Sequence, residues 1–151
     1  MKRMLLEIES ANFVLGLTAV ERLPDVAAQA LSEGYDSPGL RRLAGLTDFN
    51  AAEEALRLFK QSLLQVGIPL PDKREAVLLL ARETAAKVLC GEFSPYEGGK
   101  RIWQLTLVAG GVAPELDPFI YASSEWEERP KDRALFERAI REAAKNLVGD
   151  S

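Results

Sequence analysis

The chain has 151 residues, 47% of them hydrophobic, and its 19 basic and 23 acidic side chains leave a net charge of −4. That is one ordinary domain's worth of chain, with enough apolar surface to bury a core without disulfide or metal staples, and its acidic balance argues against binding a polyanion such as nucleic acid. A single cysteine, Cys90, cannot close an internal disulfide, and the absence of histidine removes the Ser-His-Asp triad, the Cys-His pair and the histidine zinc sites at once.

In chain order, Leu6, Phe13, Leu17 and Val20 recur at helical spacing and predict a helix from Lys2 to about Glu21, weakened at Gly16. Glu7 and Glu9 interrupt what would be the apolar region of a signal peptide, so secretion is not expected. Pro24 suits the first turn of a second helix with Leu23, Ala27, Ala30 and Leu31 on one face, stopped by Gly34. Ser37 before Pro38 predicts a cap and a short helix to about Ala44.

Thr47, Asp48 and Asn50 offer capping oxygens, and Asn50 with Glu53 approximates a capping box for a longer helix. Its inner face is Ala52, Ala55, Leu56, Phe59, Leu63 and Val66, with Glu53 set to pair with Arg57 outside. Gly67 and Pro71 end it. The next helix, Asp72 to Leu89, is apolar on most faces and reads as central and buried, the two long helices forming an antiparallel centre.

Gly91 stops that helix. Ser94-Pro95-Tyr96-Glu97 then combines a capping box with a first-turn proline, Glu97 is placed to pair with Arg101, and Ile102, Trp103, Leu105, Leu107 and Val108 carry the helix to Gly110-Gly111. From Val112 to Pro130 the chain is acidic and aromatic, with Asp117-Pro118 reading as a cap and first-turn proline. The last helix aligns Phe136, Ile140, Ala143 and Leu147, with Glu137 and Arg141 paired outside. No apolar run approaches the roughly 18 residues that a membrane span needs, and no linker divides the chain.

Gly98-Gly99-Lys100-Arg101 fails as a phosphate loop: Ser94 stands where the first glycine belongs, Arg101 where Ser or Thr belongs, and no strand precedes it. The two glycines are expected to permit close helix packing or a distorted first turn. Cys90 has no histidine to activate it and is expected to be a small buried core residue. Glu92, Glu97, Glu125, Glu127 and Glu128 offer carboxylates for acid–base work or an oxygen-ligand metal, but on helical spacing Glu125 and Glu128 share a face that Glu127 leaves, so a solvated acidic surface is favoured.

Phe93, Tyr96, Trp103, Phe119, Tyr121 and Trp126 gather six of the eleven aromatic residues into one stretch, the residue types that dominate both cores and binding hot spots. Trp103 and Phe119 are expected in the core; Tyr96 and Trp126, among charged neighbours, at the surface. The strings Gly91-Glu-Phe-Ser-Pro-Tyr-Glu-Gly-Gly-Lys-Arg-Ile-Trp103 and Leu116-Asp-Pro-Phe-Ile-Tyr-Ala-Ser-Ser-Glu-Trp-Glu-Glu-Arg-Pro130 resemble a paired signature of small helical bacterial proteins with no assigned activity. That resemblance implies a bacterial cytosolic setting and transfers no catalytic residue.

The resulting expectation is an all-α, single-domain cytoplasmic protein of about six to eight helices. The Ser94 and Trp126 segments should meet, Lys100 and Arg101 facing the acids of residues 115–128. Its leading functional reading is a protein-binding module, one version being the neutralisation of a basic toxin. The candidate residues are Tyr96, Lys100, Arg101, Asp117, Tyr121, Glu125, Trp126 and Glu128. No catalytic residue, metal or cofactor is assigned, and neither nucleic acid nor membrane is expected as partner, while homo-oligomerisation is left open. The alternatives are a carboxylate-based enzyme or divalent-metal protein, and a small-anion receptor at the Ser94 helix start.

Overall fold

Three polar side chains cap helix starts, Ser37 and Ser94 where the sequence predicts a cap and Asp72 where it predicts the first helical residue. Ser37 Oγ accepts from Leu40 N at 3.1 Å, Asp72 Oδ1 from Glu75 N at 2.8 Å, and Ser94 Oγ from Glu97 N at 3.1 Å, each satisfying a first-turn amide that has no intrahelical partner. The computed structural model describes residues 5–47 and 51–149, so the expected caps at Asp48 and Asn50 lie outside the described residues. Among the described residues the chain is all-α, with eight α-helices joined by short turns.

The helices are α1 (Leu5–Val14), α2 (Leu23–Ser32), α3 (Pro38–Ala44), α4 (Ala52–Gln65), α5 (Lys73–Leu89), α6 (Pro95–Ala109), α7 (Asp117–Glu128) and α8 (Arg133–Gly149). They gather into two compact units, Met1–Pro71 and Asp72–Ser151. The expected antiparallel centre of α4 and α5 organises neither unit: α4 packs on α3 in the first, and α5 on α6 and α8 in the second. Gly67 with φ 80° ends α4 before the Pro69 and Pro71 stretch, and each long helix serves as the wall of its own core.

In the first unit Leu6, Leu23, Val26, Leu40, Leu43, Leu58, Phe59 and Leu63 form the core, with Phe13 tilted against Phe59 at 5.8 Å. Gly39 lets α3 approach α4: its N–H donates to Gln65 Oε1 at 2.9 Å, and a Cβ there would lie 2.6 Å from Ser62 Oγ. Arg57 pairs with Glu54 at 2.7 Å rather than with the expected Glu53, and Arg42 of α3 approaches the same Glu54 carboxylate at 3.5 Å.

In the second unit Val77, Ala81, Ala85, Ile102, Leu116, Phe119, Ile140 and Ala144 are buried between α5, α6, α7 and α8. Each large apolar side chain so enclosed contributes about 1.5–3 kcal/mol, whereas the ion pairs here are solvent-exposed and screened, so the core dominates stability. The last helix buries Phe136, Ile140, Ala144 and Leu147. Ala144 replaces the expected Ala143 on the inner stripe, because steps of four, four and three follow the 3.6-residue turn as closely as four, three and four do.

Cys90, expected in the core, is exposed at the end of α5, its thiol 3.5 Å from the Lys87 carbonyl. The buried face of α5 runs through Ala81, Ala85 and Val88 and leaves Leu89 and Cys90 outside it. Asp117 is the first residue of α7 rather than its cap, because a 3-10 turn, Pro114–Leu116, runs directly into the helix. No described helix is long and apolar enough to cross a membrane.

Candidate functional site

The glycines at the start of α6 set the geometry of this face. Gly98 and Gly99 are buried; a Cβ on Gly98 would overlap Val88 Cγ2 of α5, and one on Gly99 would overlap Ser123 Oγ of α7 and lie 3.2 Å from Ile140 Cδ1 of α8. The expected close helix packing is therefore present, and it draws α6 against three helices at once. From that anchor, Tyr96, Lys100, Trp103 and Leu107 follow one another at helical spacing along one face of α6.

The Ser94 and Trp126 segments meet. Tyr96 stacks on Trp126 with ring centroids 3.9 Å apart and planes 13° from parallel. The Arg133 guanidinium lies 3.9 Å from the Trp126 ring, and its Nε donates to the Trp126 carbonyl at 3.2 Å. The indole Nε1 donates to Glu137 Oε2 at 3.0 Å, so Glu137 takes the indole rather than the expected Arg141. Tyr96 Oη donates to Glu127 Oε2 at 2.6 Å, and Lys100 Nζ lies 3.8 Å from the same oxygen. The Tyr96 phenol oxygen first, and the Glu127 carboxylate after it, hold the Lys100 ammonium above its ordinary pKa.

Arg101 does not join that cluster. It turns to Glu97 at 3.5 Å, as its spacing suggested, and its guanidinium sits 4.3 Å from the Phe93 ring. Of the other candidates, Glu125 pairs with Arg129 at 3.6 Å, Tyr121 is exposed and makes a T-shaped contact with Phe136, and Glu128 is exposed on the last turn of α7. Tyr121, Glu125 and Glu128 share a helical face turned away from the Tyr96 stack. Asp117 lies beyond that stack, near the C-terminal end of α6. Phe119 is buried as expected, whereas Trp103 is only half-buried.

The acidic stretch is largely engaged internally. Glu115 forms a two-pronged pair with Arg74, whose Nη1 is 2.7 Å from Oε1 and 3.3 Å from the Val112 carbonyl. The Arg74 guanidinium lowers the Glu115 carboxyl from 4.5 to about 2. Among the described residues no group of three or more Cys, Asp or Glu side chains is placed to hold a metal ion. At the Ser94 helix start, Glu97 N donates to Ser94 Oγ and Gly98 N to the Ser94 carbonyl, so two of the amides at this helix start are already in use.

What the sequence reading missed is the apolar continuation of the same α6 face. Between the C-terminal half of α6 and the start of α7 lies a groove of about 400 Å³ lined by Trp103, Leu107, Asp117 and Ile120. Leu107 is 72% exposed in it, more than any other large hydrophobic side chain among the described residues. A larger hollow of about 590 Å³ in the first unit is lined mainly by aliphatic carbons, including Val20, Pro24, Leu46 and Ala55, with exposed Glu21 and Asp25; it gathers no reactive or basic set. Set against protein families, curated proteins and solved structures, the chain matches none.

Proposed function

We propose that this is a cytoplasmic protein-binding module and that its docking surface is the seam of α6 and α7. The observation that carries this reading is Leu107, 72% exposed beside the half-buried Trp103 and Ile120 on a groove between two well-packed helices. A single exposed leucine is ordinary. One that shares a concave apolar strip with a tryptophan is the pattern of an interface anchor, in which a partner's side chain fills a pocket and excludes water.

The strip has a polar end as well. Tyr96, Lys100 and Glu127 form a closed set of bonds at the opposite end of the α6 face, so their net charge is small and their geometry fixed. Preorganised polar groups of this kind fix the register of a partner more than they add affinity. This favours apolar docking over the acidic occluding face that neutralisation of a basic toxin would use, since Glu115, Glu125 and Glu127 are each paired with a basic residue of this chain.

The reading is tested by affinity capture from the native host with wild-type protein, Leu107→Asp, and Leu64→Asp as a control leucine in the other unit, 67% exposed. The expected result is a protein retained by wild type and by Leu64→Asp and lost with Leu107→Asp. A captured set unchanged by Leu107→Asp overturns it.

A further inference from the structure

Residues 110–116, the connector from α6 to α7, form part of the groove wall: Gly110, Gly111 and Ala113 line it together with Leu107. Little in the connector itself fixes its path. Gly110 and Gly111 stand at φ 78° and 75°, a region that favours glycine, and their N–H groups share one acceptor, the Thr106 carbonyl, at 3.0 and 3.3 Å. Ala113 and Leu116 are buried, but apolar burial is non-directional and does not set the orientation of the turn between them.

The direction comes from α5. Arg74, in its first turn, donates from Nη1 to the Val112 carbonyl at 3.3 Å and to Glu115 Oε1 at 2.7 Å, while Nη2 donates to Glu115 Oε2. These bonds bracket Ala113 and Pro114, and among the described residues no other side chain hydrogen-bonds residues 110–116. A planar guanidinium makes such a contact directional, as a point charge would not. Resting on the docking reading above, we infer that Arg74 positions the docking groove, latching the connector in the place where Gly110, Gly111 and Ala113 wall it.

The latch ties the shape of the groove to the first turn of α5, a helix that does not line it. A partner seated on Leu107 meets a wall already in place and is spared ordering the connector itself.

Amide hydrogen exchange, followed by NMR on the full chain, reads the latch without any partner. In Arg74→Gln the amides of Gly111 and Leu116 are expected to exchange about fivefold faster, the scale of a well-formed exposed ion pair. The amide of Glu92, bonded to the Lys87 carbonyl beyond the other end of α5, should keep its wild-type rate. Glu115→Gln should speed the same two amides by less, and the double variant should be no faster than Arg74→Gln alone, because both side chains belong to one latch. Arg129→Gln, which removes an exposed arginine from its pairs with Glu125 and Asp132, should leave both amides unchanged. In the capture experiment, Arg74→Gln should retain about fivefold less of the protein that wild type retains.

Exchange at Gly111 and Leu116 that is unmoved by Arg74→Gln, equally speeded by Arg129→Gln, or additive in the double variant overturns the inference. So does capture at the wild-type level by a chain whose connector exchanges faster. The docking reading fails separately: capture that Leu107→Asp leaves unchanged removes the partner, while the exchange rates still decide whether Arg74 holds the connector.

Discussion

Tyr96 and Trp126 stack at 3.9 Å across the α6–α7 seam, and each ring is held from a second side: the phenol by Glu127, the indole by Glu137 and Arg133. Side chains so fully engaged form the rigid wall of a surface rather than a site of their own. Trp126→Ala is therefore expected to cost about 2–4 kcal/mol of folding stability. A double-mutant cycle with Tyr96→Leu and Trp126→Leu should show coupling of about 1 kcal/mol, read by urea unfolding.

Gly98 and Gly99 offer a prediction whose sign is decisive. In a helix interior alanine is favoured over glycine by about 1 kcal/mol, so in open space Gly98→Ala would stabilise. Here the added methyl overlaps Val88 or Ser123, and overpacking of a dense core costs about 1–3 kcal/mol. Both variants are expected to unfold at lower urea. Ser123 Oγ is buried without a protein partner, so Ser123→Ala should be neutral or stabilising alone and should partly rescue Gly99→Ala.

Glu115 gives the acid limb of stability. Its carboxyl pKa is lowered in the folded chain from 4.5 to about 2 by Arg74. The contribution is thus fully present above about pH 4.5 and is lost as pH falls from there toward 2. Arg74→Ala should return the Glu115 titration, followed by carboxyl NMR shifts, toward 4.5 and flatten stability across that window. A Glu115 midpoint unmoved by the substitution would sink the assignment.

Leu107→Asp should leave unfolding within about 0.5 kcal/mol of wild type, as surface changes do, while removing partner capture. A large loss of stability would mean that Leu107 is structural.

Much of this fold was legible because its signals are local. Ser37 and Ser94 cap where a polar residue before a proline says they should, and the Gly98-Gly99 pair was readable as a packing device or a distorted first turn. Asp117 was misplaced by one position because the 3-10 turn before it already has helical backbone at Leu116. Cys90 was misread because α5 carries apolar residues on most faces, so periodicity alone does not tell which face is buried. The Lys100–Glu127 approach followed from charge and sequence proximity, but the Trp126–Glu137 bond joins two helices whose rotation only packing sets.

The seam was hidden for a related reason. In Leu105, Thr106, Leu107, Val108 and Ala109 the apolar character is nearly continuous, yet Thr106 and Ala109 are the buried members and Leu107 the most exposed. Small residues face in because glycine and alanine contacts hold α6 close, and the larger side chains are left on the outside. Composition alone would have assigned them the other way round.

The proposed docking surface stands or falls with Leu107. Its most direct measurement is site-specific photo-crosslinking in the native host, with the reactive side chain placed at position 107 and, separately, at position 64. A discrete protein adduct is expected from 107 and none at comparable yield from 64, with mass spectrometry distinguishing a second copy from another protein. No adduct from 107, or an equal one from 64, would contradict it.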